Sequence, residues 1–359
     1  MKLFSSTSSR LCAALALVFT IVAAPAASAG GATYKRHNLV SDGFVPADHV
    51  DPHLVNTWGI AFNPSGAVWV ANNGSGTSTL YDGDGNVLSL VVQIPGPTTD
   101  GGGNPTGVVY NGSGDFVVSK GAVSGPSRFI FATEDGVIAA WAPNVDATHA
   151  VRVRTAGSAI YKGLAISAGG NGGQIYATDF FNAKVDVYDS HFALVALPPG
   201  AFRDPGIPHG FAPFGIQNIH GDIYVTYAKQ DAGRHDDVQG PGLGFVDAYT
   251  PNGRLLRRIA SRGALNAPWG MAMAPAGFGL FGNTLLVGNF GDGRINAYDP
   301  IFNIPLGSLR DASYRPVRIE GLWGIAFGNG YLHQSVDSLY FTAGPADEEH
   351  GVYGRLDAQ

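Results

Sequence analysis

Cysteine is almost missing from this chain of 359 residues. The single thiol, Cys12, lies near the N-terminus with an apolar run after it rather than before it, which does not favour a lipid-attachment site. Beyond Cys12 there is no residue that could form a disulfide or a thiolate metal site. A disulfide framework and a cysteine-based metal centre are therefore excluded, and stability must come from packing.

Charge is also scarce, since Asp, Glu, Lys and Arg make up 14% of the chain against about 25% in ordinary soluble domains. The formal net charge is −6, and no block of like charge occurs. This balance argues against nucleic acid or an anionic membrane surface as a partner. We expect a monomer whose partner is a small molecule, neutral or cationic, or a protein outside the cytoplasm.

The N-terminal segment has the organisation of a secretory signal peptide. Lys2 and Arg10 form a basic start, residues 11–24 are apolar, and Ala27-Ser28-Ala29 is a small-x-small cleavage site. The apolar stretch is too short to span a bilayer. We expect residues 1–29 to be removed, leaving residues 30–359 as one exported domain, periplasmic or secreted, with no membrane span.

The 51 glycines and 22 prolines are distributed over a sixfold internal repeat. Each unit begins with an apolar segment that carries a glycine near its start, followed by further β-rich segments separated by turn residues. The six glycines, 48 to 56 residues apart, are Gly59, Gly107, Gly163, Gly215, Gly270 and Gly324. Four short strands per unit, repeated six times, predict an all-β, six-bladed β-propeller of four-stranded blades.

Closure of such a ring needs one strand from elsewhere in the chain. The last unit has strand-like segments at 321–327, 338–342 and 351–356, and then the chain stops one strand short. Residues 34–40 near the mature N-terminus can supply it. We therefore expect the N-terminal strand to join the last blade, which leaves only short, protected sheet edges.

Two resemblances accompany the repeat. Residues 267–273 (Ala-Pro-Trp-Gly-Met-Ala-Met) and 289–299 (Asn-Phe-Gly-Asp-Gly-Arg-Ile-Asn-Ala-Tyr-Asp) resemble the NHL repeat of extracytoplasmic propellers. Residues 56–62 and 226–231 are also similar to an uncharacterised family of exported bacterial proteins. That second resemblance implies a propeller and no established activity.

Alignment of the second strands predicts a ring of residues around the channel mouth. These are Asn72, Lys120, Asp179, Tyr227, Asn289 and Ala343. Asn72, Asp179 and Asn289 offer the oxygen ligands that Ca²⁺ prefers, although Lys120 in the same layer would oppose a cation. The competing interpretation is that Asn and Asp at strand ends bond to the local backbone and shape the turns.

Units two and four carry longer loops after these positions, which predicts insertions over the same face. They span 121–136 and 229–244. The second holds Asp231, Arg234, His235, Asp236 and Asp237, which is typical of a metal or acid-base site or of a solvated charged loop. His235 and Asp231 are the candidate catalytic residues.

Four aromatic residues immediately precede a repeat glycine. They are Trp58, Phe214, Trp269 and Trp323. They are either structural packing between blades or platforms at the mouth that would bind a sugar, a lactone or a cationic ligand. No Gly-x-Ser-x-Gly nucleophile elbow competes for such a site.

The sequence supports two hypotheses for the function, and both place the functional site on the mouth face. The first is a ligand-binding or protein-interaction module that requires no cofactor. The alternative is a calcium-dependent hydrolase or lyase resembling lactonase propellers. In that alternative Asn72, Asp179 and Asn289 hold the ion and His235 transfers a proton.

Overall fold

The computed structural model describes Met1 and residues 31–167 and 172–359. The predicted signal peptide and its cleavage site lie almost wholly outside the described residues, so cleavage stays a prediction. Within the described part, the structure is built from 27 strands, β1 to β27, and one short 3-10 turn at Gly279–Phe281. This part contains no helix with the length and apolar character needed to cross a membrane.

Among the described residues, six sheets are arranged as the blades of a propeller, and a separate two-stranded hairpin forms a seventh sheet. The chain starts with β1 (Tyr34–Ser41) and β2 (His49–Val50), which belong to blade 6. Blade 1 contains β3 (Thr57–Phe62), β4 (Val68–Asn72), β5 (Thr77–Tyr81) and β6 (Val92–Gln93). Blade 2 contains β7 (Pro105–Tyr110), a separate hairpin of β8 (Val117–Lys120) and β9 (Val123–Pro126), then β10 (Phe129–Thr133), β11 (Val137–Trp141) and β12 (Val151–Thr155).

The second half of the ring continues in chain order. Blade 3 contains β13 (Tyr161–Ser167), β14 (Gln174–Asp179) and β15 (Lys184–Tyr188). Blade 4 contains β16 (Phe211–Ile219), β17 (Asp222–Gln230), the short β18 (Asp237–Val238), β19 (Gly244–Tyr249) and β20 (Leu255–Ser261). Blade 5 contains β21 (Pro268–Met273), β22 (Leu285–Asn289), β23 (Ile295–Tyr298) and β24 (Pro305–Ser308), and blade 6 contains β25 (Leu322–Phe327), β26 (Leu339–Ala343) and β27 (Val352–Ala358).

The prediction of four strands per blade is met only in part. Blades 1, 2, 4 and 5 have a four-stranded path from the axis outwards. Blade 3 has three strands, because after Tyr188 the chain makes only an isolated bridge to Leu194 before it leaves the sheet. Blade 6 has five, since β2 adds a parallel pair outside β1.

Ring closure by the N-terminal strand is as predicted. β1 pairs antiparallel with β27, from Tyr34 opposite Ala358 to Ser41 opposite Val352. Leu39 on this strand is buried, and the Tyr34 hydroxyl donates to the Phe278 carbonyl of blade 5 at 3.2 Å. The last blade is therefore assembled from both ends of the described chain.

The repeat glycines have a steric reason, because each lies where the inner strands of two blades touch. A Cβ on Gly107 would lie 2.3 Å from the Leu164 nitrogen, and one on Gly215 would lie 2.0 Å from the Trp269 carbonyl oxygen. The contact of Gly324 with the Trp58 carbonyl carries the series from the last blade back to the first. No real side chain tolerates such distances, so glycine is required for the blades to approach.

Blade 2 departs from the predicted alignment. Its second strand is β10, which pairs with β7, whereas the predicted second strand at 116–118 overlaps the β8–β9 hairpin. All of β10 is buried, but β8 leaves Val117 and Lys120 exposed. The strand that is buried along its whole length takes the place between two covered sheet faces, and the amphipathic hairpin is left outside.

This correction changes the face on which one insertion lies. The mouth face carries the loops that enter inner strands and the loops that join second to third strands. The hairpin instead connects an inner strand to a second strand, so it lies at the opposite face. The predicted mouth insertion at 121–136 is therefore wrong, and the loop there is only Glu134 to Gly136. The insertion in unit 4 is confirmed, since β17 and β19 are joined by residues 231–243 across the mouth face.

Candidate functional site

Four aromatic side chains close the channel below the mouth. Trp58 stacks on Trp323 with ring centroids 3.4 Å apart, and Trp269 meets both rings edge-on at 6.1 and 5.7 Å. Phe214 lies 5.8 Å from Trp323, and all four belong to one buried cluster. These residues meet at the axis and form the floor of the mouth, while a narrow space of about 50 Å³ below is lined by the inner strands.

A buried lysine stands above this floor. Lys162 precedes the repeat glycine of blade 3, where four other blades carry an aromatic residue, and its side chain is 2% exposed. Its ammonium pairs with Glu134 of blade 2 and with Asp236 of blade 4, the latter at 3.1 Å, and lies 5.2 Å from the Trp58 ring centroid. Burial alone would lower the pKa of Lys162, but the two carboxylates outweigh it, so the pKa is raised and the lysine stays protonated.

Acidic groups outnumber this one lysine. We define the mouth cluster as Glu134, Lys162, Asp236, Asp237 and Glu348, which is four carboxylates and one ammonium. Burial, reinforced by Glu348 and opposed by Lys162, raises the pKa of Asp237 to about 7, and its Oδ2 atom is buried with no hydrogen-bond partner. Burial likewise raises the pKa of Glu348. Both raised pKa values come first from burial, which disfavours the charged form of a carboxyl.

Asparagines hold the other carboxylates in place. The Asn73 amide donates to Glu134 at 2.7 Å, and the Asn56 amide donates to Glu348 at 2.7 Å. Asn56 also accepts the Trp58 indole N–H at 3.0 Å, which ties the polar layer to the aromatic floor. Burial raises the pKa of Asp236, but the charges and hydrogen bonds of Lys162 and His235 together outweigh it, so the net pKa lies below its ordinary value.

Beside the mouth cluster is a cleft of about 690 Å³ between blades 5 and 6, which we call the mouth cleft. Its lining side chains are Arg36, Gln239, Phe290, Asp292, Arg318, Glu320, Asp347 and Glu348. Phe290 stacks on Trp323 of the floor at 4.0 Å, so this end of the cleft is at the axis. Arg36 lies on β1, the fourth strand of blade 6 from the axis, and marks the outer end.

The three residues predicted to share an ion are each bonded within or near their own blade. Asn72 is hydrogen-bonded to Thr57, Thr77 and Thr79 of blade 1. Asp179 accepts from Asn182 and from the Ile160 backbone, and Asn289 donates to Ala264 and Asp292. No hydrogen bond among the described residues joins two of them. Each side chain instead bonds to neighbours around its own strand end, which is the local, turn-shaping role that the sequence also allowed.

Two other predicted ligand-binding residues lie away from the mouth. Tyr227 is buried between blades, where its hydroxyl bonds to that of Tyr249 at 2.5 Å. The placement of Lys120 in the mouth ring is wrong, because it lies on the β8–β9 hairpin at the opposite face and pairs with Asp146 at 2.7 Å. Thr133, which closes β10, occupies the equivalent strand position.

The candidate catalytic residues lie on the loop between β17 and β19. Asp231 accepts the backbone N–H groups of His235 and Asp236 and so shapes the loop. His235 is exposed, with Nδ1 2.9 Å from the Asp236 carboxylate. Ligand atoms of Glu134, His235 and Asp236 lie within 4.8 Å of one another, which is compatible with a metal. However, the Lys162 ammonium already bonds to two of these three residues.

Sequence reasoning missed Lys162, although a signal was present. A charged residue at a repeat position that is aromatic in four of six units breaks the pattern, and a broken repeat position is where a special role is expected. The aligned segment Tyr161-Lys162-Gly163 contains that break.

Two similar proteins from Acanthamoeba polyphaga mimivirus, both uncharacterised, match nearly the whole chain. One is 33% identical over 332 residues, covering 90% of this chain and 80% of the viral protein, and the other is 33% identical over 333 residues, covering 90% and 86%. The chain belongs to the same family as these proteins. No family model matches the chain, so the NHL-like repeat and the bacterial family stay predictions.

Solved structures with the same architecture show the fold. A protein of unknown function from Bacteroides thetaiotaomicron has a TM-score of 0.57 at 13% identity, covering 91% of this chain and 76% of that one. A glucose dehydrogenase reaches 0.53 at 12% identity, covering 89% and 98%. Virginiamycin B lyase from Staphylococcus aureus with quinupristin reaches 0.51 at 12% identity, covering 90% and 99%. At these identities the likeness establishes the six-bladed propeller and leaves the function to be argued from the site.

Proposed function

We propose that this protein acts outside the cytoplasm as a binding propeller that takes a small polar molecule in the mouth cleft. The observation that carries the proposal is the mouth cleft itself, which opens between two blades beside the mouth cluster. Its volume of about 690 Å³ lies within the range of about 300–1,000 Å³ found for small-molecule sites.

The cleft combines the groups that orient a polar ligand. Phe290 supplies an aromatic face backed by the floor, and charged groups of both signs surround it. Because Glu348 is held by Asn56 and Phe290 by Trp323, these side chains are positioned before a ligand arrives. Preorganisation of this kind lowers the entropic cost of binding.

A thermal-shift screen with a matched pair of variants tests the proposal. Gln239→Trp places a large ring on the cleft wall, and Val117→Trp places the same ring on the exposed hairpin of the opposite face. A compound that binds in the cleft raises the melting temperature of the wild type and of the Val117 variant but not of the Gln239 variant. Equal shifts in all three proteins would contradict binding in the cleft.

The enzyme alternative has one observation in its favour, the group of Glu134, His235 and Asp236. Lys162 stands against it, since a divalent ion there would face an ammonium that bonds to two of its ligands. Metal analysis of the dialysed protein separates the two functions. One equivalent of bound Ca²⁺ would favour the calcium-dependent hydrolase or lyase over the binding module.

Export is tested by sequencing the N-terminus of the protein recovered outside the cytoplasm. We expect Gly30 as the first residue, because cleavage after Ala29 follows the small-x-small site. Retention of the uncleaved chain in the cytoplasm would contradict this part of the proposal.

A further inference from the structure

We infer that the mouth cleft selects an organic ammonium group, which Glu348 and its neighbouring carboxylates bind against the face of Phe290. The inference rests on the proposed function, since it names the ligand class of the same cleft. It is argued from the charges of the lining, from two open acceptor atoms and from the size of the space.

The cleft lining carries more carboxylates than arginines: Asp292, Glu320, Asp347 and Glu348 against Arg36 and Arg318. Asp292 pairs with Arg294 at 3.6 Å, Glu348 lies in the mouth cluster, and Arg36 on β1 belongs to the outer end. Arg36 is held there because it donates to the Arg318 carbonyl at 3.2 Å and lies over the Phe341 ring at 5.5 Å. A cation is therefore attracted toward the axis and an anion toward the rim.

One carboxylate oxygen of the lining and one buried amide oxygen next to the lining have no donor. Among the hydrogen bonds of the described residues, Glu348 uses only Oε2, which leaves Oε1 free. Asn289 is fully buried, yet its Oδ1 atom has no partner. Its amide nitrogen donates both to Ala264 and to Asp292, a residue of the cleft lining. Because both of those partners are acceptors, reversing the amide would not satisfy it, and the unpartnered oxygen belongs to a side chain that is bonded to the cleft lining.

Phe290 adds the apolar contact that an organic cation needs. One face of its ring is covered by Trp323 at 4.0 Å, and the side chain also lines the cleft. An ammonium over such a ring gains cation-π attraction in addition to its ion pair. The molecule already shows this arrangement once, since Lys162 lies over Trp58 between two carboxylates.

The same features disfavour a bare divalent ion. Such an ion is held by about six to eight oxygen ligands at about 2.3–2.6 Å, and a space of about 690 Å³ with an aromatic wall does not provide that shell. An organic cation fills the volume and delivers its charge at one end.

Binding should be coupled to proton release. Burial raises the pKa of Glu348, which lines the cleft. A bound cation lowers that pKa, so the carboxyl releases protons when the cation binds. Affinity for the cation is therefore expected to rise with pH as Glu348 ionises.

The test is a titration with amines matched to uncharged analogues. The panel consists of cadaverine, spermidine, choline and glucosamine, with 1,5-pentanediol and N-acetylglucosamine as neutral partners and calcium chloride as the inorganic cation. Calorimetry measures the affinities at pH 6 and pH 8 for wild type, Glu348→Gln and the control Glu349→Gln, an exposed neighbour. We expect at least one amine to bind tenfold more tightly than its neutral analogue, to lose tenfold in affinity in the Glu348 variant and to be unaffected in the Glu349 variant.

Other outcomes overturn the inference, and they separate it from the proposed function. If neutral analogues bind as well as amines and Gln239→Trp abolishes both, the cleft binds ligands but does not select ammonium. If calcium alone binds and Glu348→Gln removes it, the site is inorganic. If no amine exceeds its neutral partner, the inference fails whatever else the cleft binds.

Discussion

Replacing Lys162 with methionine should destabilise the protein strongly. Methionine keeps the packing over Trp58 but removes the charge, so Glu134 and Asp236 lose their common partner. Breaking a buried ion pair by removing one member costs about 3–5 kcal/mol. Because the side chain of Asp236 is 65% exposed, water compensates part of the loss, and we expect the lower end of that range.

The pH dependence of this effect follows from the direction of the pKa shifts. The pKa of Lys162 is raised above 10.5, so its contribution is complete at neutral pH and is lost only as pH rises through the folded-state value. The pKa of Asp236 is lowered below 3.8, so its share is present above that value and disappears in acid. Lys162 also opposes the rise in the pKa of Asp237, which stands at about 7, so the variant loses this attraction at pH 8, where Asp237 is ionised, and not at pH 5; the stability difference should therefore shrink from pH 8 to pH 5.

Urea unfolding of wild type, Lys162→Met and Lys120→Met at pH 5 and pH 8 measures this. Lys120 is the matched control, because it also pairs with a carboxylate but on an exposed hairpin. Exposed pairs contribute little, so its variant should remain close to the wild type. A Lys162 variant no less stable than the Lys120 variant at pH 8 would refute the argument that a buried cation holds the mouth together.

Three further substitutions test the fold and the site. In urea unfolding, Gly215→Ala should cost about 3 kcal/mol of stability or more, because overpacking costs typically about 1–3 kcal/mol and the added Cβ would lie 2.0 Å from a carbonyl oxygen. The control Gly114→Ala should be tolerated in the same assay, since its added Cβ meets nothing within 4 Å. Asp237→Asn should raise the melting temperature more at pH 8 than at pH 5. The reason is that a carboxyl with its pKa raised to about 7 costs stability as it ionises between about pH 4 and pH 7. The exposed control Asp100→Asn should show no such difference. Leu39→Ala on the closing strand should cost about 2–5 kcal/mol in urea unfolding, as buried leucines do, and a loss below about 1 kcal/mol would show that β1 does not lock the ring.

Several elements of the fold were predictable because their cause is local and periodic. The repeat glycines mark where inner strands meet, and that steric requirement recurs in every blade regardless of the rest of the chain. The closing strand was predictable because the last unit lacked one and residues 34–40 matched it. The second strand of blade 2 was not predictable, because residues 116–118 and 129–132 are both apolar and only burial between neighbouring blades selects one.

The candidate site, unlike the fold, depended mostly on the tertiary structure. The sequence by itself determined a propeller, its closure and a charged loop in blade 4, since each depends on patterns within one unit. Only the tertiary structure decided that Lys162 of blade 3 lies between Glu134 of blade 2 and Asp236 of blade 4, and that Glu348 of blade 6 joins them. The physical reason is that a ring brings loops from distant units to one axis, where charge and burial are set by neighbours that no single repeat contains.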